Sequence, residues 1–242
     1  MTDTVDGRSV KEQELTIRDL PSEKALGEFL LYYRQIMMLY ESAVKCILTR
    51  IEIMTKEYEV LGERSLIRQT SSRIKTPRSI YKKLETRGLP FTIRSMMENL
   101  NDIAGIRIIC EYVRDIYEVR DFLLSKGMME LVEEKDYIEH PKENGYRSLH
   151  LIVDVPVPLN NGEKNVRCEI QLRTTAMDSW AGLEHNMRYK KGLPENAQAN
   201  SELRLCADML AKTDKMMQSI AEELGVFDKK RSHSKALPSP ET

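Results

Sequence analysis

The 242-residue chain has almost no net charge: 37 Lys and Arg stand against 38 Asp and Glu, although charged residues make up 31% of it. No global field therefore draws it to nucleic acid or to a membrane, and any anionic ligand must be met by a local basic cluster. Cysteine is sparse as well. Cys46, Cys110, Cys168 and Cys206 are scattered without C-x-x-C spacing, which argues against a zinc site and a disulfide framework and fits a reducing cytoplasm. No run approaches the roughly 18 apolar residues of a membrane span, and the polar residues 1–18 have no apolar export core. What is left is a cytoplasmic chain, not bound to membranes, long enough for one substantial core with helical extensions.

Apolar residues recur at steps of three and four along residues 22–58, through Phe29, Tyr33, Met37, Tyr40, Val44, Ile47, Ile51 and Met54, predicting a long amphipathic helix with at most one break. Residues 62–76 lose that pattern and are rich in Ser, Thr and Arg, which reads as a connection carrying functional side chains. A short helix is expected over 80–87. The period then changes. Residues 106–112 form a β-branched apolar run, 116–126 read as a helix, and 147–157 and 165–173 alternate as strands, so the core is α+β or α/β, with a mixed central sheet flanked by helices. In the last strand Val166, Cys168, Ile170 and Leu172 alternate with Asn165, Arg167, Glu169, Gln171 and Arg173, so one face packs and the other is free for chemistry.

Thr174 or Thr175 can cap the next helix, whose stripe of Met177, Trp180, Leu183 and Met187 reads as core. Pro194 breaks that helix, and a second long helical stretch is expected over 197–224. The organisation predicted is a flexible N-terminus (1–21), a single domain with long terminal helices (22–227), and a disordered tail (228–242) that is basic and then rich in Ser and Pro.

Three clusters combine residue types suited to polyphosphate, a nucleobase and a divalent metal. The first is Arg73, Lys75, Arg78, Lys82, Lys83 and Arg87, some of which can converge at the start of a helix, where free N–H groups also favour anions. Alone it reads better as a solvated basic face. The second places Asp102 five residues before Arg107 at the mouth of a strand. Five is odd, so both serve one site only if Asp102 precedes the strand or Gly105 marks a bulge. The third begins with Lys142, Asn144-Gly145, Tyr146, Arg147, Ser148 and His150, and continues with Glu169, Gln171 and Arg173. Asn-Gly signals a turn, after which an aromatic, a hydroxyl and an imidazole share one strand face. If this strand lies beside the Glu169 strand, the polar faces make one cleft. Tyrosine stacks on a purine, carboxylates bind hard Mg²⁺, and Arg and Lys neutralise phosphate oxygens.

In this order, Arg73-x-Lys75, Asp102-Ile-Ala-Gly-Ile-Arg107, Asn144-Gly-Tyr-Arg-Ser-Leu-His150, Glu169-Ile-Gln-Leu-Arg-Thr174 and Trp180…Glu184-His185 resemble the synthetase domain of the RelA/SpoT homologue family. The likeness is greatest to its RelQ-type small alarmone synthetases, and it implies a Mg²⁺-dependent enzyme moving pyrophosphate from ATP to the 3′-hydroxyl of GDP or GTP, giving (p)ppGpp. It also implies roles. Arg73 and Arg107 match the arginines that sandwich adenine, with Lys75 and Lys83 at phosphate-binding positions. Asp102 matches the metal-binding aspartate, and Glu169 the glutamate implicated in metal binding and in activating the acceptor hydroxyl. Tyr146 matches the tyrosine stacked on guanine, with Lys142, Asn144, His150 and Gln171 around the acceptor nucleotide. Such relatives form ring-like homotetramers through their terminal helices, with a central cleft that takes an alarmone as activator or single-stranded RNA as inhibitor. Residues 65–72, near that cleft in those relatives, are more polar here, and the resemblance leaves activation open. None of the four histidines is followed by Asp, so the His-Asp pair of the family's hydrolase domain is absent and synthesis without hydrolysis is expected.

Other readings make different demands. A nucleotidyltransferase of similar fold calls for Gly-Ser and Asp-x-Asp, and neither occurs. A tRNA-pyrophosphorylating relative calls for a larger basic surface. A catalytically silent nucleotide- or RNA-binding regulator would not need both candidate metal ligands.

Overall fold

A computed structural model describes residues 23–191 and 197–228. The expectations for the flexible N-terminus, the tail after 228 and the break at Pro194 fall outside them. In chain order come α1 (Glu23–Val60), β1 (Ile67–Ile74), α2 (Pro77–Thr86), α3 (Ile93–Asn99), β2 (Ala104–Cys110), α4 (Val113–Leu124), β3 (Glu130–Asp136), β4 (Leu149–Leu159), β5 (Gly162–Thr174), α5 (Thr175–Lys191) and α6 (Ala197–Glu223). Among the described residues no helix is long and apolar enough to cross a membrane.

The five strands form one mixed sheet in the order β1-β2-β5-β4-β3. β2 and β5 run parallel and the other neighbours antiparallel. β5 follows its alternation: Val166, Cys168, Ile170 and Leu172 are buried, while Glu169 and Gln171 lie half-buried on the opposite face. Burying Ile170 or Leu172 fully is worth about 1.5–3 kcal/mol each. α1 adds Ile36, Tyr40, Ala43, Ile47, Ile51 and Met54 to the same core at helical spacing, in a single 38-residue helix without the break allowed for.

The fold departs from the sequence reading at three places, two of them corrected expectations and one a strand that reading did not contain. Residues 62–76 are no mere connection: β1 is an edge strand paired with β2, from Ile67↔Cys110 to Ile74↔Ala104. It is half-exposed along its length, so its sequence shows no apolar alternation. β3, with Glu130, Glu133, Glu134 and Lys135, is a charged strand at the other edge and was invisible for the same reason. The third concerns the α5 stripe. Met177 and Trp180 are buried, but Leu183 and Met187 are 59% and 42% exposed, because only the first turns of α5 are covered.

The helix starts obey local chemistry. Thr76 caps α2 by accepting from Ser79 N, with Pro77 filling the position that needs no N–H. Trp180, buried on α5, donates its indole N–H to the Leu203 carbonyl of α6 at 2.9 Å.

Candidate functional site

Register decides which side chains meet. Gly105 lies opposite Arg73 on β1 and opposite Glu169 on β5, and Arg107 is level with Gln171. His150 is level with Gln171 on the other side. Residues two apart share a face, so Arg73, Arg107, Glu169, Gln171 and His150 belong to one face, opposite the Ile106, Ile108, Ile170 and Leu172 face. Arg73 crosses β2 at Gly105, where even a Cβ would lie 3.7 Å from the Arg73 side chain, an ordinary van der Waals contact. The resulting cleft, of about 150 Å³, is lined by Ser71, Ser72, Arg73, Gly105, Arg107, Glu169 and Gln171.

Asp102 sits in the turn before β2, which resolves the parity question by the first of its two solutions. Its Oδ2 accepts from both Lys75 and Lys83, each at 2.7 Å. Oδ1 is buried without a partner. Burial opposes ionisation of Asp102, but the hydrogen bonds and charges of the two lysines outweigh it and hold the carboxyl below its ordinary range. An ionised carboxylate with one buried oxygen unused is a natural cation ligand.

Glu169 is placed differently. Its Oε1 is 3.1 Å from His150 Nδ1, and its Oε2 accepts from Gln171 Nε2 at 2.9 Å. Burial and the nearby Asp102 charge push its carboxyl up; the His150 and Gln171 bonds prevail and it too lies below its ordinary range. The far nitrogen of His150, Nε2, is 2.7 Å from the Tyr146 hydroxyl, which accepts from Arg173 Nη2 at 2.5 Å. This network selects one tautomer, in which Tyr146 donates to Nε2 and Nδ1–H donates to Glu169.

The loop before β4 brings the acceptor-side residues. Asn144 Oδ1 accepts from Tyr146 N at 3.2 Å, and Gly145 takes φ +89°. A Cβ at Gly145 would meet the Ala207 Cβ on α6 at 2.7 Å, so the turn needs glycine for its conformation and for its contact. The Asn144 amide donates to Glu184 on α5 (3.2 Å), and Arg147 to Asp208 on α6 (2.8 Å). Lys142 lies 4.6 Å from the Tyr137 ring centre and 5.0 Å from that of Tyr146.

The residues expected from the sequence thus fall into three adjoining groups. Asp102, Lys75 and Lys83 form an ion triple, Arg73, Arg107, Glu169 and Gln171 line the cleft, and Lys142, Tyr146 and His150 make an aromatic corner. Asn144 shapes its own turn and reaches α5 rather than the cleft. Sequence reasoning assigned no role to Arg173, Asp178 or Tyr137. Arg173 was visible on the polar face of its strand; Asp178 and Tyr137 gave no signal of their own.

Larger hollows lie elsewhere on the molecule. A hollow of about 480 Å³ is lined by Arg64, Arg114 and Phe227, but Arg64 is committed to buried Asp115 at 2.6 and 2.8 Å. Another of about 660 Å³ contains Asp154 and Arg167, bound to each other at 2.6 and 2.9 Å. The smaller cleft instead brings Glu169 together with Arg73 and Arg107, with the Asp102–Lys75–Lys83 triple in the turn before β2.

A mixed sheet that gathers two ionised carboxylates, two lysines and two arginines beside an aromatic corner has the chemistry to suit phosphorylated nucleotides. Residues 72–193 match the family described as "Region found in RelA / SpoT proteins", and the chain belongs to it. It is 40% identical over 192 residues to the GTP pyrophosphokinase YwaC of Bacillus subtilis, covering 79% of this chain and 91% of that one. Among solved structures it resembles the small alarmone synthetase 1 of B. subtilis bound to its product pppGpp, at a TM-score of 0.72 and 32% identity, covering 80% of this chain and 98% of that one. The same synthetase bound to AMPCPP matches at a TM-score of 0.65 and 28% identity, over 80% and 97% of the two chains.

Proposed function

We propose that the chain is a GTP pyrophosphokinase that transfers pyrophosphate from ATP to the 3′-hydroxyl of GDP or GTP, making (p)ppGpp without hydrolysing it. The observation that carries the reading is the pair of depressed, ionised carboxylates beside one cleft, Asp102 with a free buried oxygen and Glu169 with both oxygens oriented. The pppGpp and AMPCPP held by the related synthetase support the two nucleotide classes.

The donor lies on the β1-β2 side. Arg73 and Arg107 take the adenine between planar guanidinium groups, and Lys75 and Lys83 turn from Asp102 to the phosphate oxygens. The acceptor lies at the aromatic corner, its guanine against Tyr146 and its phosphates near Lys142. Asn144, His150 and Gln171 hold that corner in shape.

Mg²⁺ fits these residues. No group of three or more metal-ligating side chains occurs among the described residues, and Mg²⁺ is ordinarily held by one or two carboxylates plus waters and substrate phosphates. Asp102 Oδ1 and Glu169 would hold it. Bound there, it would neutralise charge developing on the transferring phosphates.

In the reaction the 3′-oxygen forms a bond to the β-phosphorus of ATP. The bond from that phosphorus to the oxygen bridging to the α-phosphate breaks, and AMP leaves with the electron pair. Glu169 takes the hydroxyl proton, as a carboxylate already ionised and aimed by two donors. We also read the chain as a cytoplasmic homotetramer built through α1 and α6; an alarmone or single-stranded RNA is its candidate allosteric partner.

The test is incubation with Mg²⁺, γ-labelled ATP and GDP or GTP, with products separated by chromatography. Label in ppGpp or pppGpp with equimolar AMP is the expected result. No transfer to either acceptor would overturn the reading and make tRNA the next substrate to try.

A further inference from the structure

Four hydrogen bonds converge on Arg173, the last charged residue of β5, which is only 5% exposed. Its Nε donates to Ser148 Oγ at 3.3 Å, and Ser148 donates in turn to the Leu172 carbonyl at 3.1 Å. Its Nη2 donates to the Tyr146 hydroxyl at 2.5 Å and to Gln171 Oε1 at 2.9 Å. Its Nη1 donates to Asp178 Oδ1 at 3.1 Å, and that same oxygen is 3.2 Å from Arg107 Nη1.

Followed outward, these bonds form a closed ring with a tail. One path runs from Arg173 through Tyr146 and His150 to Glu169 Oε1; the other runs from Arg173 through Gln171 to Glu169 Oε2. In both, every donor points toward the carboxylate, so a buried cation at the head polarises two chains that end on one anion. The tail, through Asp178, ends on an arginine of the donor cleft. Arg107 Nε is buried without a partner, and its guanidinium pairs through Nη1 with Asp178.

We propose that Arg173 and Asp178 are positioning residues that couple the two nucleotide sites: Arg173 fixes Tyr146 and Glu169 on the acceptor side, and Asp178 ties that assembly to Arg107 on the donor side. This inference rests on the donor and acceptor assignment above. Neither residue needs to touch a nucleotide. When ATP draws Arg107 onto its base, the shared Asp178 oxygen relaxes toward Arg173, and the ring holding Tyr146 tightens before the acceptor arrives. A guanidinium suits the position because its planar fork reaches Ser148, Asp178, Tyr146 and Gln171 at once; an ammonium cannot span them. By linkage, if the donor tightens acceptor binding, the acceptor tightens donor binding by the same factor.

The test uses the full chain with Mg²⁺, a non-transferable α,β-methylene ATP analogue and GDP, and calorimetric titration of each ligand alone and against the other at saturation. In the parent the analogue should tighten GDP at least about fivefold, with the reciprocal factor the same. In Asp178→Asn, whose side chain is 32% exposed and can be replaced without emptying the core, the factor should fall below about twofold while the melting temperature holds. Arg173→Lys should lose the factor and also lower kcat. Asp178→Glu should restore part of it. A folded Asp178→Asn chain that keeps the parental factor overturns the proposal, as does a parent that makes (p)ppGpp but shows no factor. A parent that binds neither nucleotide and makes no product overturns the functional reading itself, a different result from either.

Discussion

At the scale of single residues, the two carboxylates are alike in charge and different in use. Asp102 is neutralised by lysines on one oxygen and bare on the other, whereas Glu169 is held on both. Asp102→Asn keeps the shape and removes the charge that orients Lys75, Lys83 and a cation. AMP release should fall at least about a hundredfold, with far-UV circular dichroism unchanged. Glu169→Gln should also abolish turnover, and a fully active variant would remove Glu169 from the site. The same groups predict an acid response. Both folded carboxyls lie below their ordinary values of 3.8 and 4.5, so the unfolded chain takes up their protons first as pH falls. Their stabilisation is therefore complete above those ordinary values and is lost as pH drops through the folded ones. The Glu169→Gln chain, with one such group fewer, should lose less melting temperature than the parent between about pH 5 and about pH 3.

At the scale of elements, the acceptor loop is held between α5 and α6 through Asn144–Glu184, Arg147–Asp208 and the close approach of Gly145 to Ala207. Gly145→Ala should destabilise the chain by about 1–3 kcal/mol, from positive φ and overpacking together. The KM for GDP should rise more than the KM for ATP, since Tyr146 follows Gly145 directly. Adding Ala207→Gly should recover the packing part but not the backbone part, which urea unfolding would read. What the sequence disclosed follows the same division. β5 was legible because its two faces differ, and α1 because 38 residues keep one apolar stripe. β1 and β3 were not, because an edge strand needs no alternation to be stable once a neighbour supplies its hydrogen bonds. Most residues of the candidate site could be picked out from their chemistry and order, and the strand register then brings them to one face. The Arg173 hub was not, because it exists only when β4 lies beside β5 and α5 folds back to bring Asp178 against both arginines.

At the scale of the whole molecule, α6 is a helix with two jobs. One side buries Ala207 and Ala221 and makes the contacts with Trp180, Arg147 and Thr174, the last through Asp214 at 2.6 Å. The other leaves Leu205, Met209, Met216 and Ile220 exposed by 60%, 62%, 56% and 46%, a stripe at helical spacing. Single exposed apolar residues need no explanation, but four spaced along one side of a long helix are what a subunit contact covers. Charge placed there costs the isolated fold little and an interface a great deal. Met209→Glu with Met216→Glu should convert the assembly to a 28.1 kDa monomer in sedimentation velocity, with the melting transition of the subunit retained. A parent that itself sediments as a monomer at micromolar concentration would discard the tetramer. Because the reverse side of α6 presses on Gly145, the monomeric variant should also lose acceptor affinity before it loses ATP affinity. If both KM values stay at parental levels, the helix assembles subunits without steadying the site.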